Sequence, residues 1–134
     1  MVMDNGGRTD VGILGGNILM RLKVRGIAGA VTDGGMRNIP EIEELGFPVC
    51  AGGSAPPPSF AKLMLVEVGG PIVCGGVPVF PGNIIVGESE GVIAVRSGMG
   101  RSVAKGVPLP RLCPPNEKHR AEYYALVAAG EPED

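Results

Sequence analysis

Apolar positions along the first half of the chain fall into two rhythms that predict alternating helices and strands. Leu14, Ile18 and Leu22 recur every four residues, with Leu19 one position round, and this spacing predicts an amphipathic helix over residues 15–25. Arg21, Lys23 and Arg25 put positive charge near the helix C-terminus, where the dipole favours it, and Gly26 stops the run. Residues 27–32, small and β-branched, read as a buried parallel strand entered directly from that helix. Gly34 and Gly35 read as a turn that ends at Arg37. Ile39–Leu45 is predicted to be a brief acidic helix with Pro40 in its first turn and Gly46 as its C-cap, and residues 47–51 another strand. Upstream, residues 1–3 form an apolar stub that runs into Asp4-Asn5-Gly6-Gly7, like the end of a strand meeting a turn.

Beyond residue 51 the rhythm changes. Residues 52–58, with Pro56, Pro57 and Pro58 in succession, read as a loop. Short β-type runs follow at 63–68, 71–74, 77–80, 83–86 and 92–96, with Gly or Pro at nearly every junction. Parallel βαβ units followed by short strands predict a mixed α/β layered fold. We divide the chain into a domain at residues 1–96 and a Pro-rich segment with a C-terminal helix at 97–134. That helix is expected over 116–129, packing through Tyr123, Leu126 and Val127.

Composition narrows the function classes. A length of 134 residues and 44% hydrophobic content suit one globular domain. Twelve Lys and Arg against fourteen Asp and Glu, a net charge of −2, with no dense basic block, disfavour direct nucleic-acid binding. No segment approaches the roughly 18 apolar residues of a membrane span, so the expectation is a soluble, cytoplasmic protein. Cys50, Cys74 and Cys113 lack C-x-x-C pairing and have only His119 as a possible imidazole partner, which argues against a zinc site. Asp33 reads as a turn former. His119 reads as an exposed helix residue, and Ser54 and Ser59 have no nearby base to make either a nucleophile.

Residues 15–38, GGNILMRLKVRGIAGAVTDGGMRN, hold the candidate chemistry. A helix start presents unpaired N–H groups and partial positive charge, and glycine lets a ligand approach the backbone closely. Gly15, Gly16, Asn17 and Ile18 are therefore candidates to hold a carboxylate. In a right-handed βαβ unit the following strand ends beside the helix start, which brings Arg37 to the same anion. The competing reading makes the Gly-Gly pair a plain turn and Arg37 a solvated charge.

The order G-G-N-I, a helix, G-x-x-G-x-V-x-D-G-G-x-R, then C-G-G-V-x-V-x-P-G-N-x-I-V-G and E-x-E-G-V-I-A-V resembles the RraA-like family. That family includes regulators of ribonuclease activity and class II 4-hydroxy-4-methyl-2-oxoglutarate aldolases, which also decarboxylate oxaloacetate. The resemblance runs through residues 1–96 and is joined by L-C-P-P-N-E-K-H-R-A-E-Y at 112–123. It implies a swivelling β/β/α domain, truncated here at the N-terminus, in homotrimers or hexamers with sites at subunit boundaries. It also implies a pyruvoyl carboxylate on the backbone of Gly15 to Ile18, and a catalytic, substrate-binding arginine at Arg37 that stabilises enolate charge. A divalent cation, magnesium or manganese, polarises the keto group in catalytic members.

Two residues depart from the family pattern. Asn38 stands where catalytic members have the aspartate that binds the metal, and an amide oxygen holds hard cations more weakly than a carboxylate. Gly16 stands where an acidic residue is usual. Three functional expectations follow: a metal-dependent lyase acting on a small 2-oxo acid; a non-catalytic regulator that binds ribonuclease E; or a truncated relic without independent activity.

Overall fold

The computed structural model describes residues 1–104, so the expected helix at 116–129, the L-C-P-P-N-E-K-H-R-A-E-Y segment, Cys113 and His119 lie outside the described residues. The described residues divide into two compact units, the first Met1–Val79 and the second beginning at Phe80.

The first unit is built on parallel strands. β1 (Val2–Met3) and β2 (Gly12–Leu14) lead into α1 (Gly16–Val24), followed by β3 (Ala30–Met36), α2 (Ile39–Leu45) and β4 (Val49–Ser54). β3 is the spine of the sheet. It pairs in parallel with β1 through Val31 and Thr32, with β2 through Gly35 and Met36, and with β4 along its whole length. The successive β2-α1-β3 and β3-α2-β4 units therefore have the parallel connection that the helix and strand rhythms predicted.

The strand register corrects the expected turn at Gly34 and Gly35. Both lie inside β3, which begins at Ala30 and runs on to Met36. The glycines serve close approach: a Cβ on Gly35 would lie 2.7 Å from the Ala55 Cβ and 2.7 Å from the Val11 carbonyl oxygen. Pairing shifts register between Thr32 and Gly35, and the buried Thr32 hydroxyl accepts the Gly34 N–H at 3.0 Å. β4 likewise continues through Ser54, taking residues 52–54 from the expected loop.

Hydrophobic burial fixes the helices on the sheet. Leu14, Leu19, Ala30, Ile42 and Phe47 form the core, with Met3, Ile13, Leu22, Met36, Leu45 and Val49 packed against it. Leu14 belongs to β2 and not to the helix, and Ile18 is exposed; the face of α1 that enters the core is set by Leu19 and Leu22, three residues apart. Truncating fully buried Leu19 to Ala costs about 2–5 kcal/mol. α2 has the expected limits, with Pro40 in its first turn and Gly46 left-handed at φ 59° as its C-cap.

The same unit ends in the hairpin of β5 (Ile72–Cys74) and β6 (Val77–Val79). Gly75 and Gly76, at φ 58° and 78°, make the mirror-image turn that suits a two-residue hairpin. The expected strand at 63–68 is absent. No described strand pairs with that segment, and Met64, Leu65, Val66 and Val68 are exposed.

In the second unit, β7 (Ile84–Glu88) and β8 (Gly91–Val95) form an antiparallel hairpin. The short helix α3 (Gly100–Ala104), not anticipated in the sequence, buries Val103 against Val95, with Ile84, Val86 and Ile93 around them. No helix among the described residues is long and apolar enough to cross a membrane.

Candidate functional site

The site begins with a backbone bond between the end of one strand and the beginning of the next helix. As β3 ends, the Arg37 N–H donates to the Leu14 carbonyl oxygen at 2.9 Å, and Leu14 is the last residue of β2 before α1. This bond sets Arg37 beside the helix start, as the parallel connection requires. The Arg37 side chain then lies over the glycines. A Cβ on Gly12 would stand 3.2 Å from both Arg37 Cβ and Cγ, and one on Gly15 would stand 3.3 Å from Arg37 Nε. Arg37 is exposed, and its guanidinium makes no hydrogen bond or ion pair with any described residue. A solvated charge of this kind, held over a helix N-terminus, is available to an anion.

Gly15 is the extended N-cap of α1, at φ −146° and ψ 166°, with no side-chain cap. Its carbonyl accepts the N–H groups of Ile18 at 3.0 Å and Leu19 at 3.1 Å. Gly16 and Asn17 occupy the first turn, where a helical N–H has no partner four residues back. Of the four candidate residues of the helix start, Gly15 lies directly under the Arg37 side chain, and Gly16, Asn17 and Ile18 follow it in the first turn of α1.

Asn38 follows Arg37 in the left-handed conformation, φ 63° and ψ 43°, a region that Asn and Asp tolerate better than other side chains. As N-cap of α2 it accepts the Ile42 N–H through its carbonyl at 3.1 Å. Its side chain does not cap the helix. Instead Nδ2 donates to Glu41 Oε2 at 2.9 Å.

Glu41 is the residue that sequence reasoning missed. Its Oε2 lies 2.6 Å from where a Cβ on Gly16 would be, so a carboxylate from α2 fills the space that the absent side chain of residue 16 leaves. The signal in the sequence was faint: Glu41 falls one turn after Asn38 in an acidic helix, indistinguishable by spacing from the exposed Glu43 and Glu44. The guanidinium over Gly15 and the carboxylate over Gly16 do not form an ion pair with each other.

Among the described residues no group of three or more His, Cys, Asp or Glu side chains converges on one point. Near Arg37 the available donors are the Asn38 amide oxygen and the Glu41 carboxylate. Both are hard oxygen ligands of the type magnesium and manganese accept, with water and substrate oxygens completing the shell. These are oxygen donors only, with no imidazole or thiolate of the kind a zinc site uses beside them among the described residues.

Asp33, read from sequence as a turn former, has a structural role. Its carboxylate accepts N–H bonds from Asn5 at 2.7 Å, Gly7 at 3.0 Å and Gly75 at 3.4 Å, tying two turns to β3. Cys74 lies nearby, its thiol donating to the Met3 carbonyl oxygen at 3.7 Å. Burial, and then the Asp33 charge, raise the pKa of that thiol above the ordinary cysteine value. Asp10, by contrast, is a surface carboxylate lowered by its 2.7 Å ion pair with Arg8.

Comparison with known proteins shows the family to which the sequence and the fold belong. Residues 1–94 match the RraA-like family model, described as Aldolase/RraA. A Halalkalibacterium halodurans protein, provisionally named a 4-hydroxy-4-methyl-2-oxoglutarate aldolase, is 37% identical over 103 residues, which is 77% of this chain and 49% of that protein. The structure of the RNA-processing inhibitor RraA from Thermus thermophilus superposes with a TM-score of 0.64 at 31% identity, over 72% of this chain and 58% of that one. An unusual member of the RNase ES inhibitor RraA family from Streptomyces coelicolor superposes with a TM-score of 0.69 at 30% identity, over 75% and 52%. The chain spans about half the length of the curated relatives it matches. By its matching sequence and its α/β fold, the chain belongs to the RraA-like family.

Proposed function

We propose that the chain is a lyase of the class II pyruvate-aldolase type, cleaving a C3–C4 bond in a small 2-oxo acid such as 4-hydroxy-4-methyl-2-oxoglutarate or oxaloacetate to release pyruvate. The observation that carries this reading is the unpaired Arg37 guanidinium held over the N-cap of α1. A 2-oxo acid presents a carboxylate and an adjacent keto oxygen, two acceptors that suit the N–H groups of Gly16 and Asn17 together with a guanidinium. In this reading the helix start holds the carboxylate with Gly15 at its edge. Arg37 faces the keto oxygen, where negative charge grows as the C3–C4 bond breaks, and stabilises the enolate.

Magnesium or manganese, held through the Asn38 amide oxygen, supplies Lewis-acid polarisation of the keto group when bound. Asn38 offers one neutral donor where a carboxylate would bind the cation more strongly, so the site is expected to need a higher metal concentration than an aspartate would demand. Pyruvate release from oxaloacetate, followed in the presence of either cation, tests the reading. The rate should exceed the metal-only background, and Arg37→Ala should return it to that background. Equal rates for wild type and variant would refute the proposal.

A second reading is favoured by the names of two structural neighbours, one described as an RNA-processing inhibitor and the other as an unusual member of an RNase ES inhibitor family. Here the chain binds an endoribonuclease of the ribonuclease E type by protein contact and needs no cation. Retention on immobilised ribonuclease E that survives Arg37→Ala would support it.

A further inference from the structure

We infer that the Glu41 carboxylate is a built-in competitor for the acid that this site takes, lying over the start of α1 until a substrate carboxylate displaces it. The inference rests on the 2-oxo acid reading above and adds a regulatory contact to it. Glu41 stands in the first turn of α2, after Asn38, whose left-handed backbone opens that helix. Asn38 Nδ2 donates to Glu41 Oε2 at 2.9 Å, and the same oxygen lies 2.6 Å from the Cβ position of Gly16. The two helices are also tied at their other ends, where Lys23 Nζ donates to the Leu45 carbonyl oxygen. Joined at both ends, α2 holds its first carboxylate against the first turn of α1.

That position is the one an incoming carboxylate needs. The Gly16 and Asn17 N–H groups lie in a helix turn without partners four residues back, and the positive end of the α1 dipole favours negative charge beside it. A Cβ at position 16 would push the Glu41 oxygen away, and glycine leaves the room that this oxygen fills. Glu41 and a substrate carboxylate carry the same charge and cannot share the space. Arg37 distinguishes them. Its guanidinium lies over Gly15 and makes no ion pair with Glu41, so a 2-oxo acid gains a contact that the internal carboxylate lacks. Glu41 is exposed, and displacement sends its charge into solvent with the loss of its hydrogen bond to Asn38. The apparent affinity for an acid is then reduced by the fraction of chains whose α1 start is clear of Glu41.

Oxalate titrated into the isotope-labelled full chain in metal-free buffer, and followed by nuclear magnetic resonance at the Gly16 and Asn17 amides, tests the inference. Glu41→Gln removes the charge and keeps the side-chain length, whereas Glu41→Ala also clears the space. Both should bind oxalate at least about fivefold more tightly than wild type, the scale of one exposed charge contact. Glu44→Gln removes the same charge from an exposed position on α2 and should change the affinity by less than about twofold. Arg37→Ala placed in the Glu41→Ala background should abolish the gain. This pattern supports the assignment, and the amide spectra themselves report that each variant is folded. Absence of a gain from either Glu41 variant overturns it. So does a gain in Glu44→Gln equal to that in Glu41→Gln, or a gain that survives Arg37→Ala, and so does a lack of oxalate binding by wild type and both Glu41 variants. The lyase reading fails separately, when Arg37→Ala leaves the release of pyruvate from oxaloacetate unchanged.

Discussion

Gly12→Ala should damage the fold and the site together, because Gly12 is where the backbone of one meets the side chain of the other. Gly12 is buried in β2, and its N–H donates to the Pro57 carbonyl oxygen at 2.8 Å. An added Cβ would lie 2.7 Å from the Ala55 carbonyl oxygen and 3.2 Å from Arg37 Cβ and Cγ. The Ala55 oxygen belongs to backbone anchored by the Ala55 N–H bond to Met36, 2.8 Å, so it cannot swing away as a side-chain tip would. Overpacking against fixed atoms costs about 1–3 kcal/mol. At about 4–8 °C per kcal/mol for a domain of this size, Tm should fall by roughly 4–24 °C. Gly15→Ala provides the contrast. Its Cβ meets only the flexible Arg37 side chain, and the extended N-cap backbone accepts Ala at about 0.5–1 kcal/mol. Thermal unfolding followed by circular dichroism should rank wild type above Gly15→Ala and Gly15→Ala above Gly12→Ala. A Gly12→Ala protein melting within about 2 °C of wild type would refute the close approach of β2, Ala55 and Arg37.

Other consequences are independent of that one. Asn38→Asp preserves the left-handed backbone and sets a second carboxylate beside Glu41; manganese affinity measured by electron paramagnetic resonance should rise at least about tenfold, since ligand charge tunes cation affinity over orders of magnitude. Asp33→Ala strips three backbone N–H groups of their acceptor and should cost about 1–3 kcal/mol in denaturant unfolding. The same variant should lower the pH at which Cys74 is alkylated, in a chain with Cys50 and Cys113 replaced by Ser, while burial still holds that thiol above the ordinary range. The sign for stability follows: the native state keeps the Cys74 proton longer than the unfolded chain does, so this contribution is full at neutral pH and is lost as pH rises beyond about 8.5.

The sequence made the helices of this fold legible and misplaced several strand limits, for physical reasons. α1 and α2 announced themselves by apolar spacing, basic and acidic ends, Pro40 and Gly46. β3 was cut short because Gly34 and Gly35 look like turn residues, whereas their lack of side chains lets the strand pass close to Asn5 at Gly34 and to Val11 and Ala55 at Gly35. β2 was hidden because Leu14 continues the helical spacing by coincidence. Segment 63–68 has strand composition, but a strand forms only against a partner, and no described strand offers one. The site followed the same division. Gly15 to Ile18 and Arg37 were readable because a βαβ connection dictates their meeting, while Glu41 depended on one left-handed residue, Asn38, turning α2 so that its first carboxylate faces Gly16.

The central claim is that the α1 start and Arg37 together hold a 2-oxo acid, and calorimetric titration with oxalate, a mimic of the pyruvate enolate, in the presence of magnesium tests it most directly. The account predicts saturable one-to-one binding per chain that weakens at least about tenfold in Arg37→Ala, as loss of a charge-assisted hydrogen bond requires. Oxalate binding of equal strength in wild type and Arg37→Ala, or no binding to the wild type at all, would contradict it.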